Sequence, residues 1–272
     1  MRWMRRSLTN NSMAYSTLQF TVEGDLATIT LDRPDKRNAI SPEMIADLFA
    51  VLDEAERSAA RVVILTGAGK AFCAGMDLEA LRNLATQTQK QHAADAKRMG
   101  EMFYRVYSFP KPLIAAVNGA AIAGGTGLAT LADFTLAVPE AKFGYTEARI
   151  GFLPAVVSVF LLRQVGEKIT RELLLTGRII DANEARALGL VTEIVFADKL
   201  MERARELGHA LAALSPTSLK LTKKLILQWT AKEIRRDLAI AVRESAAIRR
   251  TANFREGLSA FLEKRTPQWR DR

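Results

Sequence analysis

The sequence is poor in the residues that build disulfides and metal centres. Its 272 residues include one cysteine, Cys73, and two histidines, His92 and His209. A single cysteine excludes an intrachain disulfide framework and any zinc site built from cysteines. Two histidines do not favour a site with several histidine ligands, so we expect no metal. Cys73 is predicted to be a small packed residue, and both histidines are predicted to face solvent on helices.

Long apolar runs are lacking as well. No stretch approaches the roughly 18 apolar residues that a membrane-spanning helix requires. Hydrophobic residues make up 49% of the chain and charged residues 25%, close to average globular usage, which argues against disorder, collagen and coiled coil. We therefore expect a cytoplasmic protein with no membrane partner.

Three common motifs are missing. Thr66–Lys70 has glycines like those of a phosphate loop, but Ala71 stands where Ser or Thr would hold magnesium. Gly124, Gly125 and Gly127 lack the G-x-G-x-x-G spacing of a dinucleotide site. No G-x-S-x-G segment occurs. These absences argue against an NTPase, a dinucleotide enzyme and a serine hydrolase of that type.

Positive charge is concentrated at the two ends of the chain. Lys and Arg number 39 against 30 Asp and Glu, for a net charge of +9, yet residues 7–230 carry only +1. Aromatic residues are 7% and no recognised nucleic-acid module is present, so nucleic acid is not an expected partner. The basic residues 1–16 are predicted to be a disordered extension, with organellar import as an alternative role.

Strands alternate with helices through about residue 196, which favours an α/β fold. Residues 18–31 alternate like a hairpin that turns at Gly24, and buried strands are predicted at 61–66, 112–117 and 133–138. Ser41 and Pro42 have the residue types of a helix start. Residues 77–107 and 217–264 are predicted to be mainly helical, the former without a clear cap.

Two segments share the form of a buried strand, a loop of small residues and a helix. They are residues 62–78 and 113–128. Backbone N–H groups at such helix entries have no partner within the helix. If the two loops meet, one N–H from each could hold the same oxygen as negative charge develops on it. The alternative is that the glycines only make tight turns.

Several segments in one consistent order resemble the enoyl-CoA hydratase/isomerase (crotonase) superfamily over about residues 17–268. They are Arg33-Pro34 before Asn38-Ala39, Ala71–Leu78, Ala115–Gly119, Gly124-Gly125, Phe143–Glu147, Leu174–Ala185 and Ala260–Arg265. The resemblance implies a spiral of β-β-α repeats over residues 17–206 and a helical trimerisation region over 207–272. It also implies a homotrimer or dimer of trimers, an acyl-CoA thioester substrate, and no cofactor beyond the coenzyme A that the substrate carries.

The resemblance also assigns the site. The backbone N–H groups of Met76 and Gly124 would form an oxyanion hole for the thioester carbonyl, and Glu147 would be the acid/base. Lys264 would lie near the phosphates of coenzyme A in a neighbouring subunit. The other residues expected to contact substrate are Asn38, Ala39, Ala74, Gly75, Asp77, Leu78, Gly125 and Tyr145.

The number of carboxylates in the site distinguishes hydration from isomerisation. Hydratases of the superfamily use two glutamates, and the first position falls here on Gly127. Moving a double bond from C3 to C2 of an enoyl thioester needs one carboxylate and no added water. Residues 154–159 are apolar, which predicts a drier pocket and a raised pKa for Glu147. An enoyl-CoA isomerase is therefore favoured.

Other interpretations stay open at this point. The chain could be a divergent hydratase that uses Glu147 with Tyr145 or with an acid from residues 77–107. Glu147 could instead form an ion pair with Arg149 or another base, and Asp77 could cap its helix rather than act on substrate. A third interpretation, from a different functional class, is a crotonase-fold protein that holds coenzyme A or RNA without turnover.

Overall fold

The computed structural model describes residues 15–84 and 86–269. Its strands are β1 Leu18–Glu23, β2 Leu26–Leu31, β3 Val62–Gly67, β4 Ala71–Cys73, β5 Leu113–Val117, β6 Ala120–Ile122, β7 Phe134–Ala137, β8 Lys142–Gly144, β9 Ile179–Asp181 and β10 Glu193–Ile194. Its helices are α1 Pro42–Arg57, α2 Leu78–Leu84, α3 Gln89–Tyr107, α4 Gly124–Thr130, α5 Ala155–Thr176, α6 Ala182–Ala187, α7 Leu200–Ala212, α8 Pro216–Ile248 and α9 Ala252–Glu263.

The strands form two sheets. One has six strands in the order β1-β2-β3-β5-β7-β10, and the other has four in the order β4-β6-β8-β9. In the larger sheet, β1 pairs antiparallel with β2, and the remaining pairs are parallel. Every residue of β3 and β5 is buried, as expected for parallel strands covered on both faces. These central strands carry the main core.

Successive turns of the chain visit both sheets in the same way. β3 enters the larger sheet, β4 enters the smaller one, and helices α2 and α3 follow. The same order holds for β5, β6 and α4, and again for β7, β8 and α5. This repetition confirms the predicted α/β spiral of β-β-α units. Three strands of the smaller sheet, β4, β6 and β8, lie side by side and parallel, which brings the segments that follow them to one edge.

Local details differ from the sequence-based expectations. The region 77–107 contains two helices, and α3 has a complete capping box in which Thr88 and Gln91 satisfy each other's backbone N–H groups. The region 217–264 is likewise divided, into α8 and α9. The apolar residues after Pro154 form a helix, as predicted, and α5 bends at Gly166, whose φ is +77°.

The expected N-terminal extension falls mostly outside the described residues, since it covers 1–16. Its last two residues, Tyr15 and Ser16, hydrogen-bond to Glu54 and Asp47 of α1, so contacts with the folded body begin before residue 17. None of the helices in 15–84 and 86–269 is both long enough and apolar enough to span a bilayer.

Candidate active site

The site begins where the parallel strands β4 and β6 end. Because these strands are neighbours, the loops after them touch: a Cβ placed on Gly75 would lie 2.9 Å from the Ile122 carbonyl oxygen. A Cβ on Gly125 would overlap the Cys73 carbonyl oxygen. Only a residue without a side chain permits this approach of two backbones. The two glycine-containing loops therefore meet, which was the condition under which one N–H from each could hold the same oxygen.

Each loop presents a backbone N–H that has no acceptor among the residues that the structure describes. Around Met76, Ile40 donates to the Gly75 carbonyl (2.7 Å) and Asp77 donates to the Ile40 carbonyl (2.9 Å). That pairing leaves the Met76 N–H unused by any described residue. Gly124 is the first residue of α4, so its N–H has no acceptor in the helix. Met76 and Gly124 border the same cavity.

Unusual backbone conformations hold these loops. Gly75 has φ +89°, and Ala123, directly before Gly124, has φ +52° and ψ −120°. Such a conformation is costly for alanine and persists where surrounding contacts enforce it. Here the Ala123 N–H donates to the Gly144 carbonyl at 2.7 Å. The Thr126 hydroxyl reaches the Ala121 carbonyl at 2.7 Å and accepts from the Gly144 N–H at 3.0 Å.

Asn38 and Asp77 support the first loop from behind. Asn38 is buried with φ +54°, and its amide nitrogen donates to the carbonyl oxygens of Ala68 (2.9 Å) and Ala71 (2.8 Å). Asp77 forms an ion pair with Arg33 at 2.9 Å and accepts the Glu79 N–H at 2.8 Å. Those contacts agree with the capping interpretation of Asp77. Asp77 borders the cavity, whereas Asn38 lies behind its lining.

Glu147 follows β8, the third parallel strand, in a short 3₁₀ turn over Glu147–Ile150. Its carboxylate oxygen Oε2 is buried and has no hydrogen-bond partner among residues 15–84 and 86–269. Burial raises the pKa of Glu147 to about 7, although its own backbone N–H acts in the opposite direction. No ion pair with Arg149 occurs in the described part of the chain. The alternative of a structural Glu147–Arg149 pair is therefore wrong.

The space beside Gly127 is occupied by apolar side chains. A Cβ on Gly127 would lie 2.7 Å from the Phe103 ring and 2.7 Å from a Val157 methyl group. Both contacts are closer than Cβ atoms tolerate, so any side chain at this position would displace its neighbours. Phe103 and Val157 also border the cavity. The wall near Gly127 is thus built without a carboxylate.

The cavity has a volume of about 800 Å³. Of the predicted site residues, it is lined by Ala39, Ala74, Met76, Asp77, Leu78, Gly124 and Glu147. Those that lie outside its lining are Asn38, Gly75, Gly125, Tyr145 and Lys264. Gly75 and Gly125 shape the loops, and Tyr145 is buried in the core. Lys264 ends α9 with φ +55°, three residues after Phe261, which does line the cavity.

Sequence reasoning missed several residues of the wall. Lys36 and Arg37 are exposed cations that border the cavity. Ser245 and Arg249, both buried, line it from α8 and the residue that ends α8. Leu238, Ala241 and Ser245 are buried at helical spacing. That periodicity was the available signal, since it places Arg249 on the inward face.

The predictions for the cysteine and the two histidines were correct for Cys73 and His209 and wrong for His92. Cys73 is fully buried, and burial raises the pKa of its thiol to about 12, so it is a packed residue as predicted. His209 is exposed, also as predicted. The prediction for His92 was wrong: it is 4% exposed, and its Nε2 lies 2.8 Å from the Leu84 carbonyl oxygen. His92 connects α3 to the end of α2.

Comparison with known proteins places this geometry in a family. A model of the enoyl-CoA hydratase/isomerase family matches residues 21–272. A Thermus thermophilus protein named "Putative enoyl-CoA hydratase" is 44% identical, over 91% of this chain and 98% of its own. The chain belongs to the enoyl-CoA hydratase/isomerase family. The resemblance inferred from the motifs is therefore confirmed.

Other members of the family extend the comparison. The 1,2-epoxyphenylacetyl-CoA isomerase of Escherichia coli is 34% identical, over 91% of this chain and 96% of its own. A crystal structure of an enoyl-CoA hydratase/isomerase from Xanthobacter autotrophicus superposes with a TM-score of 0.85, at 30% identity, and covers 92% of this chain and 97% of that one. The names of relatives include both hydratases and isomerases, so membership alone does not select the reaction.

Proposed function

We propose that this family member is an enoyl-CoA isomerase that moves a double bond from C3 to C2 of an acyl-CoA thioester. The observation that carries the proposal is the buried carboxylate of Glu147, whose Oε2 has no hydrogen-bond partner among the described residues, in a cavity where Phe103 and Val157 fill the space beside Gly127. Adding water would require a second group to hold and activate that water. Shifting a proton along the acyl chain requires one base.

The proposed reaction uses the two N–H groups and the carboxylate together. The thioester carbonyl oxygen accepts hydrogen bonds from Met76 and Gly124. The ionised carboxylate of Glu147 removes a proton from C2, and the electron pair of that C–H bond delocalises onto the thioester oxygen as a dienolate. The two N–H donors stabilise this charge. Glu147 then returns the proton to C4, which leaves a C2–C3 double bond and regenerates the carboxylate.

The environment of Glu147 suits this double role. A group that first accepts and then donates a proton works best when its pKa lies near the working pH. Burial raises the pKa of Glu147 to about 7, so both forms are accessible near neutrality. The apolar start of α5 excludes the water that a hydratase would consume.

Coenzyme A would occupy the part of the cavity bordered by Ala39, Ala74 and Leu78. The exposed cations Lys36 and Arg37 border the same cavity and would face its phosphates. Lys264 keeps its expected role at the phosphates of a neighbouring subunit in a homotrimer or dimer of trimers. Asn38, Gly75 and Gly125 would act by shaping the loops, and Tyr145 by packing beneath Glu147.

A divergent hydratase is the second candidate, because the relative at 44% identity carries a hydratase name. It would need a partner for Glu147. Tyr145 lies outside the cavity lining, which disfavours it in that role. Asp77 is already engaged by Arg33 and by the start of α2. Glu79, an exposed acid at the start of α2, borders the same cavity and is the remaining candidate from residues 77–107.

Two assays on the purified protein test the proposal. One follows formation of a 2-enoyl-CoA from a 3-enoyl-CoA, and the other follows hydration of a 2-enoyl-CoA. We expect isomerisation to be the faster reaction and Glu147→Gln to lower its kcat by about 10²- to 10⁴-fold. Glu140→Gln, which changes an exposed glutamate between β7 and β8, serves as the matched control with unchanged rates.

Each contrary result has a distinct meaning. Faster hydration than isomerisation by the unaltered protein would favour the hydratase. Full isomerase activity in Glu147→Gln would remove Glu147 from the mechanism. Tight binding of acyl-CoA without turnover in either assay would favour the non-catalytic binding protein.

A further inference from the structure

A buried guanidinium with unused donors borders the cavity. Arg249, at the end of α8, is 3% exposed and lines the cavity together with Met99 and Phe103 of α3. Its one hydrogen bond to a described residue runs from Nη1 to Asp95 Oδ2 at 2.7 Å. Its Nε is buried and has no hydrogen-bond partner in the part of the chain that the structure describes. Buried polar groups are normally satisfied, and leaving one unsatisfied is costly.

The unused edge of Arg249 has a specific shape. A guanidinium presents five N–H donors in a fixed planar fork, and one edge is formed by Nε and Nη2. That edge matches the two oxygens of a carboxylate. Arg203 of this chain uses it in this way, with Nε and Nη2 donating to Glu193 at 2.9 and 3.0 Å. Arg178 shows that one guanidinium can serve two carboxylates, those of Glu172 and Glu184.

Ser245 adds a second polar group to the same wall. It lies one helical turn before Arg249 on α8, is 4% exposed and lines the cavity. Its hydroxyl makes no hydrogen bond with any described residue. The ring of Phe152, also in the lining, lies 5.5 Å from Arg249 Cζ. The Arg249–Ser245 patch, defined by these two side chains, is thus a polar spot among apolar residues.

We propose that the Arg249–Ser245 patch binds a carboxylate at the far end of the acyl group, so that the preferred substrates are ω-carboxyacyl thioesters. The inference rests on the proposed function, because it takes the cavity to hold an acyl-CoA. The Nε–Nη2 edge of Arg249 receives the carboxylate, and the Ser245 hydroxyl donates to it. A methyl-ended chain would leave both groups buried without partners. Arg249 is therefore a specificity residue, remote from the bond that reacts.

Binding of unreactive thioesters tests this inference. Hexanoyl-, octanoyl- and decanoyl-CoA are compared by calorimetry with counterparts of equal length that end in a carboxylate or in a neutral methyl ketone. At the best length, we expect the carboxylate-ended thioester to bind about tenfold more tightly than the methyl-ended one, as a hydrogen bond to a charged group provides. The methyl ketone should bind more weakly than the carboxylate.

Variants separate ligand binding from structural support. Arg249→Lys keeps a cation for Asp95 but lacks the fork, and Ser245→Ala removes one hydroxyl. Both should lose most of the preference while binding the methyl-ended thioester within about twofold of the unaltered protein. Arg250→Lys, at the exposed neighbouring position, is the control and should keep the preference. If Arg249→Lys does not fold, the comparison of Ser245→Ala with the unaltered protein still tests whether the patch binds the carboxylate.

Three results would overturn the inference. Equal or tighter binding of the methyl-ended thioesters at every length would show that the patch does not recognise the end of the acyl group. Equal binding of the ketone-ended and carboxylate-ended thioesters would show that the patch recognises a neutral oxygen and not a carboxylate. Because these thioesters do not react, a preference would stand even if the protein neither isomerises nor hydrates. If no thioester binds, this inference and the proposed function both fail.

Discussion

The ionisation of Glu147 gives the sharpest prediction for the proposed isomerase. Burial raises the pKa of this carboxyl to about 7, and the reaction begins with the ionised form. The ionised fraction therefore rises from about one tenth at pH 6 to about nine tenths at pH 8. We expect kcat/KM for isomerisation of a 3-enoyl-CoA to rise about tenfold over this range. Below pH 6 it should fall about tenfold for each further unit.

The control for this titration is the conservative variant at an exposed position. Glu140→Gln should reproduce the full profile, whereas Glu147→Gln should leave a low rate that does not depend on pH between 6 and 8. A profile centred near pH 4.5, the ordinary pKa of a glutamate, would mean that water reaches the carboxylate. That result would refute the argument from a dry pocket, even if Glu147 proved essential.

Three further predictions concern stability: one for the same Glu147→Gln variant and two for other substitutions. Glu147→Gln should raise the free energy of unfolding above pH 7 by about 3 kcal/mol, because the raised pKa means that ionisation of Glu147 opposes folding. This increase, measured by urea unfolding, should shrink as the pH falls through 7 and vanish below about pH 4.5. Gly125→Ala should lower the free energy of unfolding by about 1–3 kcal/mol and abolish turnover, since its Cβ would overlap the Cys73 carbonyl oxygen. Asp77→Asn should lower the free energy of unfolding by about 1 kcal/mol in the same assay and weaken activity, because it removes the charge that pairs with Arg33 beside Met76. An unchanged free energy of unfolding would contradict that role.

The sequence predicted the larger sheet better than the smaller one. β3 and β5 are continuous apolar runs bounded by turn residues, and such runs are recognisable without a structure. β4, β6 and β8 have three residues each, too few to show alternation. Their pairing decides which loops meet, so the contact between the Gly75 and Gly125 segments could be proposed from the sequence but not established by it.

The site residues divide in a similar way. Glu147, Met76 and Gly124 stand in recognisable motifs, and the structure brings all three to one cavity. Arg249 stands in no motif, and its interest arises from burial and from a missing partner, which depend on tertiary packing. His92 could have been placed correctly, because it precedes Ala96, Met99 and Phe103 at helical spacing on the inward face of α3.

The packing around Gly127 constrains how the reaction of this protein could change. A glutamate introduced at 127 alone would collide with Phe103 and Val157. Shrinking either neighbour first would open a void that lowers stability before any carboxylate is gained. We expect strong epistasis among the three positions. Each single substitution should make the protein less stable or less active than both the present protein and the variant with all changes combined. Conversion to a two-carboxylate hydratase would therefore require these substitutions together, because the intermediate single variants would be impaired.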